Sequence, residues 1–393
     1  MNILLISYYP FESGGVGTST YHLARALEKA GNKVIIASTK AYPDFETSIF
    51  KPVRLLPILQ IRDAYLSRFF SRLIKRHRIG IIHSSDLRFT ANGAMAAAAR
   101  NGIPCAVHYR DYWFGCLKGD LLYRNKVQCD GMRLGKCLKC NGICRSPWEA
   151  YKYGYFKRRI ARLAGVQANM AVSRAVEEKM RSAGISDNVS VVYDIFPEAE
   201  RGLPALGKRP AKTIVLFAGK LIYHRGIETL MKVAELVGRS DPTISFVIAG
   251  DGEMSAFAKQ YVEGHDLENV TLLGHVKHRE MAKLQAEADI YFFPSLLAEP
   301  FSRGIVEMMQ QGKPVIASDY GGTREVIEDG QGGYLIDPHN HEDCASKIIS
   351  LAGQPELMAR MGAANLAKAQ EFSEAAVVKK IVGVYENAIR SNK

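Results

Sequence analysis

The chain has 393 residues, 47% of them hydrophobic and 23% charged, with a formal net charge of +12 and an isoelectric point near 9.2. That length exceeds one ordinary core and predicts two domains of about 150 to 200 residues. The composition is that of a soluble globular protein, which excludes disordered and fibrous classes, and no run reaches about 18 apolar residues, which argues against a membrane span.

The positive excess points to an acidic partner: nucleic acid, a phosphate-bearing substrate or an anionic membrane surface. The opening MNILLISYYP lacks the basic start and long apolar run of a signal peptide, so a cytoplasmic location is expected. Seven cysteines in such a chain argue against a disulfide framework.

From the first residue, MNILLISYYPFESGGVGTSTYHLARALEKAGNKVIIAST reads as buried strand, glycine-rich turn, helix and second strand, with Tyr21, Leu23, Leu27 and Ala30 at helical spacing. The turn holds Gly14, Gly15 and Gly17 as GGxG, a poor match to the dinucleotide fingerprint. The segment Ile58 to Arg78 is apolar on one side and basic on the other, through Arg62, Arg68, Arg72, Lys75, Arg76 and Arg78, with Asp63 alone opposing. IGIIHSS, ANGAMAAAARNG and PCAVHYRD then continue the strand-helix alternation of a doubly wound α/β sheet.

Between Trp113 and Ser146 the periodicity fails and Gly, Lys and Cys accumulate. Such a long excursion is functional or held by something other than a core. It carries Cys116, Cys129, Cys137, Cys140 and Cys144, and its CxxC is consistent with tetrahedral structural zinc. A second basic, aromatic helix, WEAYKYGYFKRRIARLAG, follows, then QANMAVSRAVEEKMRSAGI as strand and helix. PEAERGLPALGKRPAK is unpatterned and Pro- and Gly-bearing, which places the domain boundary there.

The second half repeats the grammar: TIVLFAGKL, YHRGIETLMKVAELVG, ISFVIAGDGE, NVTLLGHV, then the strand ADIYFFPS, the helix of EPFSRGIVEMMQQG and the strand KPVIASD. Glu299 and Glu307 stand on either side of a helix start, at the carboxyl end of a strand, where parallel sheets bind ligands. The first-turn amides near Ser302, Arg303 and Gly304 lack intrahelical acceptors and suit an anion. Lys220 and Arg225 flank another strand-helix junction and supply two positive charges for a diphosphate.

The Glu-x7-Glu spacing, with ADIYFFPS before it and GKPVIASDYGGTREVIEDGQGGYLIDP after it, closely resembles the retaining glycosyltransferases of family four, which have the GT-B fold of two Rossmann-like domains. The resemblance covers nearly the whole chain. It implies an acceptor-side domain at 1–196 with the Cys-rich excursion at about 113–146, a nucleotide-sugar-binding domain at 212–375, and a terminal helix, 376–393, crossing back. It implies that Glu307 binds the ribose hydroxyls, that Glu299 stands by the transferred sugar, and that Gly15, Gly17, Gly250, Gly252, Gly274, Lys220 and Arg225 border the donor. In the family a His-Asp pair occupies the place of Arg110-Asp111, so either Arg110 replaces the usual His or His108 reaches in. Relatives beginning DYW-x-x-C carry cysteines spaced like Cys116, Cys129, Cys137 and Cys140, which names those four as the zinc set and leaves Cys144 spare.

The expected reaction is sugar transfer from a nucleotide-sugar to a glycan or lipid-linked saccharide, with retention. No D-x-D triad is evident, and no catalytic metal is expected. A nucleotide-sugar epimerase or a phosphorylase on the same fold, and a Cys-stabilised nucleic-acid-binding protein, are the alternatives, though the last leaves the paired acids unexplained and no nucleic acid is expected. The two basic aromatic segments further suggest peripheral binding to an anionic bilayer.

Overall fold

The computed structural model describes the chain apart from residues 12–14, 52–58, 125–126, 141–146, 200–212 and 393. Gly14, Cys144 and most of the boundary segment read from the sequence lie outside the described residues. The fold divides into two compact units, Met1–Pro197 with Phe372–Lys393, and Glu198–Glu371.

The first unit is built on β1 (Asn2–Ile6), β2 (Lys33–Ser38), β3 (Thr47–Ile49), β4 (Ile81–Ser84) and β5 (Cys105–Tyr109), with a short hairpin of β6 (Leu122–Tyr123) and β7 (Val127–Gln128), then β8 (Ala168–Ala171) and β9 (Val189–Val191). Seven of these form a parallel sheet in the order β3-β2-β1-β4-β5-β8-β9. Ile3 to Ile6 are wholly buried, with none of the polar alternation of a one-sided sheet, because helices cover both faces.

The alanine-rich helix Ala91–Asn101 packs closely on the helix Leu59–His77: a Cβ at Gly93 would stand 2.5 Å from the Leu66 Cβ. The excursion holds the hairpin β6–β7 and the helix Leu134–Cys140, which has no buried residue. The last helix, Glu374–Ser391, is capped by Ser373 and belongs to this unit. Its Val377, Ile381 and Tyr385 join Ile3, Leu5 and Leu27 in one cluster, each buried side chain of this size stabilising by about 1.5–3 kcal/mol. The Tyr385 hydroxyl meets His83 Nδ1 at 2.6 Å.

The second unit carries β10 (Thr213–Ala218), β11 (Ile244–Ala249), β12 (Val270–Gly274), β13 (Ile290–Phe293), β14 (Val315–Ser318) and β15 (Gly333–Ile336), parallel in the order β12-β11-β10-β13-β14-β15. In each sheet the strand order reverses once, between β1 and β4 and between β10 and β13. Loops leaving the carboxyl ends of such a pair diverge and open a crevice.

Candidate active site

In the second unit the two loops bordering the switch point are tied together. Arg225 closes a short 3-10 turn, Tyr223–Arg225, after β10, and its Nη1 donates to Glu299 Oε1 at 2.6 Å in the loop after β13. Ser295 Oγ donates to the same oxygen at 3.0 Å, and the guanidinium carbon stands 5.3 Å from the Phe293 ring centroid. The approach depends on Gly226, at φ +74°, where a Cβ would stand 1.8 Å from the Pro294 carbonyl oxygen. Glu299 is thus buried, 5% exposed, with its charge balanced from the neighbouring loop.

Ser302 precedes the helix Arg303–Gln310 in extended conformation and its side chain caps none of the first-turn amides, which have no acceptor within the helix itself. Gly304 is required there because the Tyr291 hydroxyl lies 2.6 Å from where its Cβ would be. That hydroxyl donates to Ala218 O at 3.1 Å, and burial together with the Glu307 charge holds it well above the usual phenol range. Glu307, on the same helix, is partly buried: Gln285 Nε2 donates to its Oε2 at 3.2 Å, and Arg303 Nη2 stands 3.8 Å from its Oε1. A carboxylate so lightly engaged retains lone pairs for two hydroxyl donors.

The expected cationic pair is not equivalent. Arg225 is committed to Glu299, whereas Lys220 is exposed and, among the described residues, forms no ion pair. Gly250 and Gly252 stand where the loop after β11 lies against the loop after β10: added Cβ atoms would fall 1.8 Å from Gly219 O and 2.4 Å from Leu221 O. Gly274 continues the row, its carbonyl accepting from Gly250 N at 2.8 Å.

In the first unit, Gly15 (φ +49°) turns the chain into the helix Val16–Lys29, which buries Gly17 and Ser19. Ser19 Oγ donates to Asp194 Oδ2 at 2.8 Å, and Arg110 Nε donates to Asp194 Oδ1 at 2.8 Å. The Arg110 side chain is 4% exposed, and among the described residues its buried Nη1 has no hydrogen-bond partner. Asp194 and Ser19 are missing from the sequence reading; an acid just past the strand VSVV was the available signal.

Of the two alternatives for the family's His, only Arg110 stands at the strand end. His108 is inside the sheet, wholly buried, with Nε2 against Val192 O at 2.9 Å, and burial followed by the Arg110 charge holds it well below the usual imidazole range. It is a neutral core side chain here.

Asp111 accepts from Trp113 N at 3.0 Å. Burial pushes its carboxyl up to about 7, the Trp113 amide pulls it down, and the neighbouring Asp86 raises it further. Asp86 is itself wholly buried and takes the amides of Arg88, Phe89 and Thr90.

Sequence comparison supplies the family. The family described as "Glycosyltransferase Family 4" matches residues 13–195, and the one described as "Glycosyl transferases group 1" matches residues 200–367, so the two together cover both units. The chain belongs to the family 4 glycosyltransferases. It is 30% identical over 184 residues to spore coat protein SA of Bacillus subtilis, covering 44% of this chain and 49% of that one. It is 26% identical over 335 residues to the phosphatidylinositol N-acetylglucosaminyltransferase gpi3 subunit of Schizosaccharomyces pombe, covering 81% and 66%. The matched stretch spans about half the length of most of the curated relatives. In fold it resembles HepE of Anabaena, solved in complex with UDP-glucose, with a TM-score of 0.71 at 19% identity over 98% of both chains. The expected fold, two Rossmann-like units of the GT-B type, is the one found.

The four named cysteines, Cys116, Cys129, Cys137 and Cys140, line one cavity of about 20 Å³. Arg124 N donates to Cys140 Sγ at 3.2 Å and Lys118 N to Cys116 Sγ at 3.4 Å. Among the described residues no group of three or more His, Cys, Asp or Glu stands in metal-holding geometry, so these thiols as placed do not form the expected zinc site.

The basic helices require a correction too. Arg62 and Asp63 do not lie on an exposed basic face: both are buried, and both bond the Tyr155 hydroxyl, Arg62 Nη2 donating at 2.7 Å and Asp63 Oδ2 accepting at 2.8 Å. Arg159 is 1% exposed, donates to Leu87 O at 2.6 Å and to Trp113 O, and stacks 4.0 Å from the Phe156 centroid. Amphipathic patterning over-counts surface charge wherever an Arg finds carbonyls at its tip. Among the described residues no helix is long and apolar enough to cross a membrane.

Proposed function

We propose that the protein transfers a glycosyl group from a nucleoside diphosphate sugar to a glycan or lipid-linked saccharide, with retention at the anomeric carbon. The observation that carries the reading is the buried Glu299, fixed by Arg225 at the switch point of the second sheet, beside an uncapped helix start with Glu307 further along the helix. Glu307 accepts the ribose hydroxyls. The amides of Arg303 and Gly304, with Lys220, take the diphosphate, where charge grows as its bond to the sugar breaks. Glu299 faces the positive charge developing on the ring. On the acceptor side, Arg110, steadied by Asp194, offers Nη1 at a strand end, and Asp111 stands beside it. HepE's complex with UDP-glucose makes a UDP-sugar the first donor to try. The gpi3 subunit, by its name an N-acetylglucosaminyltransferase acting on phosphatidylinositol, favours a lipid acceptor.

Two further readings belong with it. One is a structural zinc in the excursion: its four cysteines line one small cavity without forming a metal site as placed, and zinc would have to draw the sulfurs together as thiolates to be held there. Exposed Lys157 and Arg158 support reversible attachment to an anionic bilayer.

A panel of nucleotide-sugars in a thermal-shift assay, followed by NMR of the product of the stabilising donor with a lipid-linked saccharide, tests the main proposal. Stabilisation and an anomeric configuration matching the donor's are expected. An epimerised nucleotide-sugar as sole product, or no stabilisation by any donor, overturns it.

A further inference from the structure

A cavity of about 250 Å³ opens between the excursion and the helices Pro147–Ala164 and Arg174–Ser182, all within the first unit. Its lining combines two chemistries. Phe114 and Leu121, 0% and 2% exposed, and Ile160 form an apolar wall, while Arg133, Lys157 and Lys179 bring three cations.

Among the described residues Asp130 is the one carboxylate in the lining. It is paired with Lys136 and with Arg133, the latter at 3.3 Å, so its charge is already balanced. Among the described residues neither Lys157 nor Lys179 has a carboxylate within ion-pair distance, and Lys157 Nζ stands 5.9 Å from the Tyr153 ring centroid. Unpaired ammonium groups beside buried aromatic and aliphatic carbon select against the simple ligands. A free anion gains nothing from Phe114 and Leu121, and a neutral hydrocarbon desolvates the lysines without compensation. A ligand carrying an anion on a hydrocarbon chain satisfies both. The volume lies just below the range of small-molecule pockets, enough for a head group and the first few carbons, with the rest of a chain outside. Phe114 follows Asp111 by three residues, so the cavity starts beside the acceptor-side strand ends.

We propose that this cavity binds the phosphate and proximal carbons of a lipid phosphate. The inference rests on the reading above that the acceptor is lipid-linked: the cavity would hold the lipid phosphate while the sugar end lies towards Asp111.

The test uses the full chain with three probes, farnesyl phosphate, farnesol and inorganic phosphate, followed by calorimetry. Farnesyl phosphate should bind at least tenfold more tightly than either of the others. Lys157→Ala with Lys179→Ala should weaken it at least tenfold, as should Ile160→Asp, and thermal unfolding should report an intact fold because these positions are exposed or partly so. Unchanged farnesyl phosphate binding in the double variant, or equal binding of farnesol, overturns the proposal. Equal binding of inorganic phosphate overturns it as well, by leaving an anion site without a lipid. Nucleotide-sugar stabilisation is measured separately: its loss with the farnesyl phosphate results intact sinks the transfer reading and leaves the lipid site standing, and the converse result sinks the lipid site alone.

Discussion

Arg225 and Glu299, 74 residues apart in the chain, share a 2.6 Å hydrogen bond that ties together the two loops at the switch point of the second sheet. Glu299→Gln keeps the shape and the Ser295 contact and removes the charge. Turnover should fall ten- to hundredfold, about 1.4 to 2.7 kcal/mol at the barrier, with the donor KM little changed. Arg225→Ala should instead destabilise the unit by about 3 kcal/mol, because it leaves a buried carboxylate unpaired. Steady-state kinetics and denaturant melts read the two effects. Wild-type turnover in Glu299→Gln would reduce that residue to a structural tie.

Glu307→Gln should weaken nucleotide binding by about 1–3 kcal/mol, the scale for losing charged hydrogen bonds, and leave the melting temperature of the free protein nearly unchanged, since among the described residues the Glu307 carboxylate has one 3.2 Å bond from Gln285 and a 3.8 Å approach from Arg303 to lose. Calorimetry with the free nucleoside diphosphate checks it; equal affinity in variant and wild type contradicts the ribose role.

Asp111 makes stability depend on pH. Its carboxyl is pushed up to about 7 in the folded state and titrates near 3.9 when unfolded. Between those values the folded chain holds a proton that the unfolded chain has released, so the contribution, complete below about pH 4, is lost as pH rises to about 7 and is level above that. In Asp111→Asn the amide oxygen still accepts from Trp113 N and nothing titrates. The melting temperature of the variant relative to wild type should therefore rise between pH 5 and pH 8; a constant difference would contradict the assignment.

Lys157, Arg158 and Arg159 are adjacent and do different work. Arg159→Ala orphans the Leu87 and Trp113 carbonyls and should cost roughly 2–4 kcal/mol. Changing Lys157 and Arg158 to Glu should leave melting near wild type and lower co-sedimentation with anionic vesicles, an interaction that salt also weakens. Vesicle binding that ignores those two charges removes the membrane reading.

If zinc closes the Cys116, Cys129, Cys137 and Cys140 cavity, protein purified under reducing conditions without chelator should carry about one zinc per chain, released by Cys137→Ser with Cys140→Ser while the second unit still melts cooperatively. Elemental analysis without stoichiometric metal rejects it.

What the sequence made legible was local. Uninterrupted runs such as ILLI and IYFF mark fully buried parallel strands, and the order of strand, acid, helix start and second acid put Glu299 and Glu307 after the carboxyl end of a strand. What stayed hidden were partners distant in sequence. Arg110 and Asp194 are 84 residues apart, and no periodicity relates them. Arg62, Asp63 and Arg159 are charges whose burial depends on Tyr155 and on carbonyls contributed by other segments, which a helical pattern does not display. The free cations expected at Lys220 and Arg225 looked alike until the fold brought Glu299 to one of them.

The bond between Tyr385 and His83 spans 302 residues, and the helix that carries it fills a place in the core of the unit begun at Met1. During synthesis the contiguous stretch Glu198–Glu371 has all its own parts as soon as it emerges, whereas the part made first keeps the surface that the helix Val16–Lys29 and strands β5 and β8 turn to the helix Glu374–Ser391 uncovered until that helix has left the ribosome. The earliest-made unit is thus the last to be completed, and a chain interrupted shortly before Ser373 would pair a well-formed second unit with an open, aggregation-prone first one.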